Sequence, residues 1–128
     1  MAAPRILIVD DDTQVLGMLM RVLIGRGYTV TGTTSGAEVI ETAADTSFDL
    51  AIVDLSMPGV DGFEVLKDLH RTAPQMKIMV ISGAMPGLLL ESAAMFGATK
   101  TLTKPISPEV LITAVQHLLD RRVAEAHS

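Results

Sequence analysis

The chain contains no cysteine. That removes disulfides, thiolate metal sites and cysteine nucleophiles together, and it fits the reducing cytosol. Basic charge is also scarce: the formal net charge is -5 and the pI is near 5.0. With no Lys/Arg run and no footprint for a phosphate backbone, direct binding of nucleic acid is not expected. Long apolar runs are missing too, so no membrane span is expected, and Met1 to Pro4 lacks the regions of a secretory signal. The sequence reads as soluble and cytoplasmic. It has no internal repeat and no low-complexity segment.

What is present is a chain of 128 residues, 48% hydrophobic and 20% charged, enough to bury the core of one domain. The expected core spans about residues 4–120. The polar stretch 121–128 reads as a frayed helix end or the stub of a linker beginning near Arg121. Five short apolar runs alternate with five longer amphipathic stretches, the pattern of βα units around a parallel sheet. The runs are Arg5 to Val9, Thr29 to Thr33, Leu50 to Val53, Lys77 to Ile81 and Lys100 to Thr103. The first, third and fourth suit strands covered on both faces, whereas the second and fifth are more polar and belong nearer an edge. An α/β/α three-layer sandwich is expected, doubly wound, with strand order 2-1-3-4-5.

The helices are legible from caps and periodicity. Thr13 precedes Val15, Leu16, Leu19, Val22 and Leu23, and that helix should end near Gly25 or Gly27. Ser35 with Glu38, and Asp61 with Glu64, have capping-box spacing. Ser107-Pro108 supplies a cap and a first-turn proline before an inward stripe of Val110, Leu111, Ala114, Val115, Leu118 and Leu119. The fourth helix, roughly Leu88 to Phe96, follows a loop from Gly83 to Gly87 that carries Pro86.

In such a sheet, sites form at the carboxyl ends of the strands. Asp10, Asp11 and Asp12 follow the first run, Asp54 ends the third, Ser82 the fourth, and Lys104-Pro105 follows the fifth. Asp12 and Asp61 are read as helix-start residues. Asp10, Asp11 and Asp54 on neighbouring strands would repel one another unless a cation lay among them. Mg²⁺ is the natural candidate, with Mn²⁺ the alternative, because it takes oxygen ligands and needs few carboxylates.

These residues resemble the receiver domains of two-component response regulators. The matching motifs are Ile6-Leu7-Ile8-Val9-Asp10-Asp11-Asp12, Asp54-Leu55-Ser56-Met57-Pro58-Gly59-Val60-Asp61-Gly62, Val80-Ile81-Ser82-Gly83 and Leu102-Thr103-Lys104-Pro105. The resemblance implies a flavodoxin-like fold with Asp54 as phosphoacceptor. It implies that Asp11 ligates Mg²⁺ directly, Asp10 mostly through water, and Ser56 through its backbone carbonyl. Ser82 would hydrogen-bond one phosphoryl oxygen and Lys104 pair with another, and the peptide before Pro105 would be cis. It further implies a signalling module, not an enzyme acting on other substrates, with only self-phosphorylation and self-dephosphorylation. The expected partners are a sensor histidine kinase or phosphotransfer protein, and a downstream protein or fused output domain. A phosphorylation-dependent homodimer through the face of the fourth helix, fifth strand and fifth helix belongs to the same expectation.

The chain departs from the family pattern at Thr101, where an aromatic switch residue is common, and at Ile106, where a phenylalanine often follows the proline. Remodelling of the same face is still expected, through other side chains. Leu88, Leu89 and Leu90 are consecutive, so a narrow stripe cannot bury all three. Either they fill a broad buried face or one of them meets a partner. Ser56 and Ala84 occupy positions where family members differ in dephosphorylation rate. Three alternatives remain at this level. Asp10-x-Asp12 suggests an aspartate-nucleophile phosphatase of haloacid dehalogenase type, although Gln14 stands where Thr or Val is expected. A flavodoxin-like cofactor binder would need hydroxyls and amides where Asp10 to Asp12 stand. A non-phosphorylated pseudo-receiver scaffold is the third.

Overall fold

The computed structural model describes residues 3–56, 62–83 and 87–120, the side chains of 87–90 excepted. In chain order the elements are β1 (Arg5–Val9), α1 (Thr13–Gly25), β2 (Thr29–Thr33), α2 (Gly36–Asp45) and β3 (Leu50–Asp54). They continue with α3 (Gly62–Thr72), β4 (Lys77–Ser82), α4 (Gly87–Met95), β5 (Lys100–Thr103) and α5 (Pro108–Leu119). All strand pairings are parallel, in the order β2-β1-β3-β4-β5. The two more polar strands are the edges, as their composition requires.

Strand periodicity divides the core in two. Alternate residues of a strand face opposite sides of a sheet. Leu7, Val9, Ala51, Val53, Ile78 and Val80 therefore meet Val39, Val65, Leu66, Leu69 and Ala93 from α2, α3 and α4. Ile6, Ile8, Leu50, Ile52, Met79 and Ile81 meet Leu19, Leu23, Leu111 and Val115 from α1 and α5. The central strands are buried on both faces, which is why they read as continuous apolar runs.

The caps refine the expected starts. Asp12, not Thr13, is the N-cap of α1: its Oδ1 accepts from Gln14 N at 3.0 Å and Val15 N at 3.2 Å. Thr13 is already helical, and the charged acceptor one residue earlier reaches the free N–H groups. Gly27, with φ +93, takes the left-handed conformation that closes the turn into β2. At α2, Ser35 Oγ accepts from Glu38 N, but the Glu38 carboxylate accepts from Thr33 Oγ1 instead of closing the box on Ser35 N. Ser35 N itself donates to Thr33 Oγ1. Ser107 caps α5, with Pro108 in the first turn. Val110 leaves the expected inward stripe and is 49% exposed, because it sits at the margin of the buried arc of Leu111, Ala114, Val115 and Leu118, where it borders an open cavity with Lys100 and Leu102. The fourth helix lies one residue earlier than the expected Leu88 to Phe96. Asp61, Ala84, Pro86 and the tail 121–128 lie outside the described residues, as do the side chains of Leu88, Leu89 and Leu90. No helix among the described residues is long and apolar enough to cross a membrane.

Candidate functional site

The chain leaves β1 for α1 on one face and returns through β3 on the other, so the carboxyl ends of β1 and β3 flank the switch point of the winding. Asp10 continues β1, its N–H donating to Thr33 O at 3.2 Å. Asp54 is the last residue of β3, opposite Ile81 of β4. Asp10 and Asp54 are buried and Asp11 is exposed. One carboxylate oxygen from each of the three lies within 4.8 Å of the others.

Lys104 neutralises part of this charge. Its N–H donates to Ser82 O at 2.7 Å, which fixes its backbone beside the end of β4. Its Nζ then lies 3.0 Å from Asp10 Oδ2 and 3.1 Å from Asp54 Oδ2. Asp54 Oδ1 accepts from Ser56 N at 2.8 Å and from Ser56 Oγ at 3.0 Å. Asp10 Oδ1 accepts from Asp12 N at 2.9 Å. The Lys104-Pro105 peptide is cis.

The two buried aspartates titrate in opposite directions. Burial pushes the Asp10 carboxyl up and the Asp54 charge adds to that, against the Asp12 N–H and Lys104, which pull it down. Burial also pushes Asp54 up. It is outweighed by the two hydrogen bonds from Ser56 and by Lys104, so Asp54 is held below its usual range. Lys104 is pulled down by burial, yet the two carboxylates more than compensate and hold its ammonium above the ordinary lysine value. The site thus keeps an ionised carboxylate on Asp54 beside a charged lysine.

Asp10 Oδ2 is buried, and beyond the Lys104 ammonium at 3.0 Å it has no hydrogen-bond partner among the described residues. Together with the all-oxygen donor set of Asp10, Asp11 and Asp54, this fits a hard divalent cation.

Residue by residue, Asp10, Asp11, Asp54, Ser56, Ser82 and Lys104 converge on one end of the sheet. Asp12 stands aside as a cap. Thr101 does not join them. It lies on β5 opposite Val80, half-buried, and borders a cavity of about 270 Å³ shared with Glu91, Ala94 and Lys100. A threonine is too small to fill it. Sequence reasoning assigned Ser56 a backbone ligand role and a position linked to dephosphorylation rate, but not the hydroxyl contacts it makes with both Asp54 and Ser82. The signal available was a hydroxyl two residues beyond a strand-end aspartate.

This sheet order, with an acidic cluster at the switch point and a lysine reaching across from β5, defines a doubly wound α/β domain with a charged site at the carboxyl ends of its strands. A family model described as the response regulator receiver domain matches residues 6–116. The chain belongs to that family and is a receiver domain of two-component signal transduction. Among its relatives, the transcriptional regulatory protein PrrA of Mycobacterium leprae is 34% identical over 127 residues, 99% of this chain and 54% of that protein. The DNA-binding transcriptional regulator NtrC of Escherichia coli is 31% identical over 88% of this chain and 24% of its own length. The chain spans about half the length of the first curated relatives it matches, and less of NtrC. Among solved structures, a CheY-like receiver domain protein from Methanospirillum hungatei superposes with a TM-score of 0.90 at 30% identity, over 97% of this chain and 99% of that one. A response regulator from Burkholderia pseudomallei, with a phosphorylated aspartic acid and a calcium ion, gives 0.83 at 27% identity, covering 96% and 73%.

Proposed function

We propose that this chain is a phospho-accepting switch in which Asp54 takes a phosphoryl group from a phosphohistidine of a sensor kinase or phosphotransfer protein, dependent on Mg²⁺. The observation that carries this is the ionised, buried Asp54 carboxylate, 3.1 Å from Lys104 Nζ and grouped with Asp10 and Asp11. An Asp54 oxygen attacks phosphorus, the phosphorus–nitrogen bond of the donor breaks, and its electron pair stays on the imidazole, which takes up a proton. Lys104 faces the incoming negative charge, and the Ser82 hydroxyl donates to a phosphoryl oxygen. Mg²⁺, held by the carboxylates of Asp10, Asp11 and Asp54 and the Ser56 carbonyl, would supply further charge neutralisation. Positioning and electrostatics are all that such a transfer asks of the protein. Water attacking phosphorus later releases inorganic phosphate and restores Asp54, so the mark is reversible. The chain is then a signalling element that modifies itself, not an enzyme for other substrates. Its output would be a changed contact with a downstream protein, a fused domain or a second copy through the face of α4, β5 and α5.

The test is incubation with acetyl phosphate and Mg²⁺. Intact mass should rise by one phosphoryl group in the wild type and not in Asp54→Asn. An unmodified wild type would overturn the proposal. Turnover of a phosphate ester that survives Asp54→Asn but not Asp10→Asn would point instead to the aspartate-nucleophile phosphatase.

A further inference from the structure

The hydroxyl of Ser56 stands between the Asp54 carboxylate and the end of β4. Its Oγ is 3.0 Å from Asp54 Oδ1, 3.3 Å from Ser82 Oγ and 3.2 Å from Gly83 N. A serine hydroxyl has one proton to give and two lone pairs to receive with. An ionised carboxylate can only accept, and a bond to it is stronger than one to a neutral hydroxyl, so the Ser56 proton points at Asp54. The Gly83 N–H can only donate. The contact with Ser82 must therefore be donated by the Ser82 hydroxyl. Ser56 Oγ gives one hydrogen bond and receives two, its full complement.

We propose that Ser56 is a positioning residue that holds the Ser82 hydroxyl proton in the unmodified state, so that a phosphoryl group on Asp54 must take that hydrogen bond from it. This rests on Asp54 being the phosphoacceptor and assigns the regulation of the same site. Ser82 has a single hydroxyl proton, which can point at Ser56 Oγ or at a phosphoryl oxygen but not at both. The exchange breaks no covalent bond, and the proton stays on Ser82. Its consequence reaches β5, because Ser82 O accepts from Lys104 N at 2.7 Å and Ser82 pairs with Thr103 in the sheet. With Thr101 too small to act as an aromatic plunger, this polar exchange gives the site a route to the β4 and β5 loops that needs no ring.

Beryllofluoride with Mg²⁺ is the probe, as a phosphoryl mimic that docks on a carboxylate. Its affinity is measured by calorimetry for the wild type, Ser56→Ala, Ser82→Ala, the double variant and Ser56→Thr. Ser56 is exposed, so truncation leaves the core intact. Releasing one neutral hydrogen bond should make Ser56→Ala bind about twofold to tenfold more tightly than the wild type. Ser56→Thr, which keeps the hydroxyl, should match the wild type. In the Ser82→Ala background the Ser56→Ala gain should be smaller, the difference being the Ser56–Ser82 coupling, because the bonds to Asp54 and Gly83 are removed in both backgrounds and cancel in the cycle. Equal or weaker binding by Ser56→Ala, or the same gain with Ser82 removed, overturns the latch. A wild type that binds no beryllofluoride overturns the phosphoacceptor reading itself, so the two failures are distinguishable.

Discussion

Lys104 balances two buried carboxylates with one positive charge, and the sign of each titration says what its removal does. Asp54 is held below its usual range, so its ionised form adds stability that is present above the unfolded value and lost as pH falls through the folded one. Asp10 is raised by burial, so the fold gains as Asp10 takes a proton. Lys104 is raised, and its contribution persists below the unfolded lysine value and disappears as pH rises through the folded one. Lys104→Met should therefore cost about 1–3 kcal/mol at neutral pH, the penalty for charged groups left unpaired. The cost should shrink toward acid, where Asp10 and Asp54, no longer held ionised by Lys104, take up protons in the variant. Urea midpoints between about pH 4 and 8, in buffer free of divalent ions, check this across the range where carboxylates leave their usual values. A penalty independent of pH would assign the effect to the packing of the lysine stem and not to its charge.

At the scale of elements, α3 is brought against the acceptor strand at one glycine. A Cβ on Gly62 would lie 2.6 Å from Leu55 O and 2.7 Å from Leu55 Cα, so the first turn of α3 touches the backbone just after Asp54. Gly62→Ala brings a helix-propensity gain of about 1 kcal/mol. It also forces backbone apart at an overpacking cost of about 1–3 kcal/mol. The net expectation is a less stable protein by chemical denaturation; equal or greater stability would show that the contact is slack. Gly62 stands in the sequence as an ordinary helix-start glycine, and nothing local announces the close approach. Helix boundaries were legible wherever a hydroxyl cap was followed by an amphipathic run, as at Ser35 and Ser107. At α1 the sequence offers both Asp12 and Thr13 as helix-start residues, and the path of the chain makes Asp12 the cap. Val110 was misplaced because a stripe of six apolar residues is wider than the face of α5 that meets the sheet.

For the whole molecule, edge placement was readable because polarity rises from β1, β3 and β4 to β2 and β5. The convergence of Asp10, Asp11, Asp54, Ser82 and Lys104 was readable because parallel winding sends every strand end to one side. Side-chain reach was not readable, since Lys104 spans from β5 to Asp10 on β1 across two intervening strands and no sequence spacing encodes that distance. The same convergence makes the fold hold repelling charges, and it gives a stability test of the cation. A ligand bound only by the native state stabilises by RT ln(1 + [L]/Kd), about 2.7 kcal/mol at a hundredfold excess over Kd. For a domain of this length that is a rise in Tm of about 10 °C. Asp11 separates binding from folding, because it is the exposed member of the cluster. Asp11→Asn should leave the Tm in chelator within about 1–2 °C of the wild type, as a surface change away from caps and core does. It should also lose most of the Mg²⁺-dependent rise. Thermal scans of both proteins across a Mg²⁺ titration decide it: a rise of equal size in Asp11→Asn would place the cation elsewhere, and no rise in the wild type would remove it from the site.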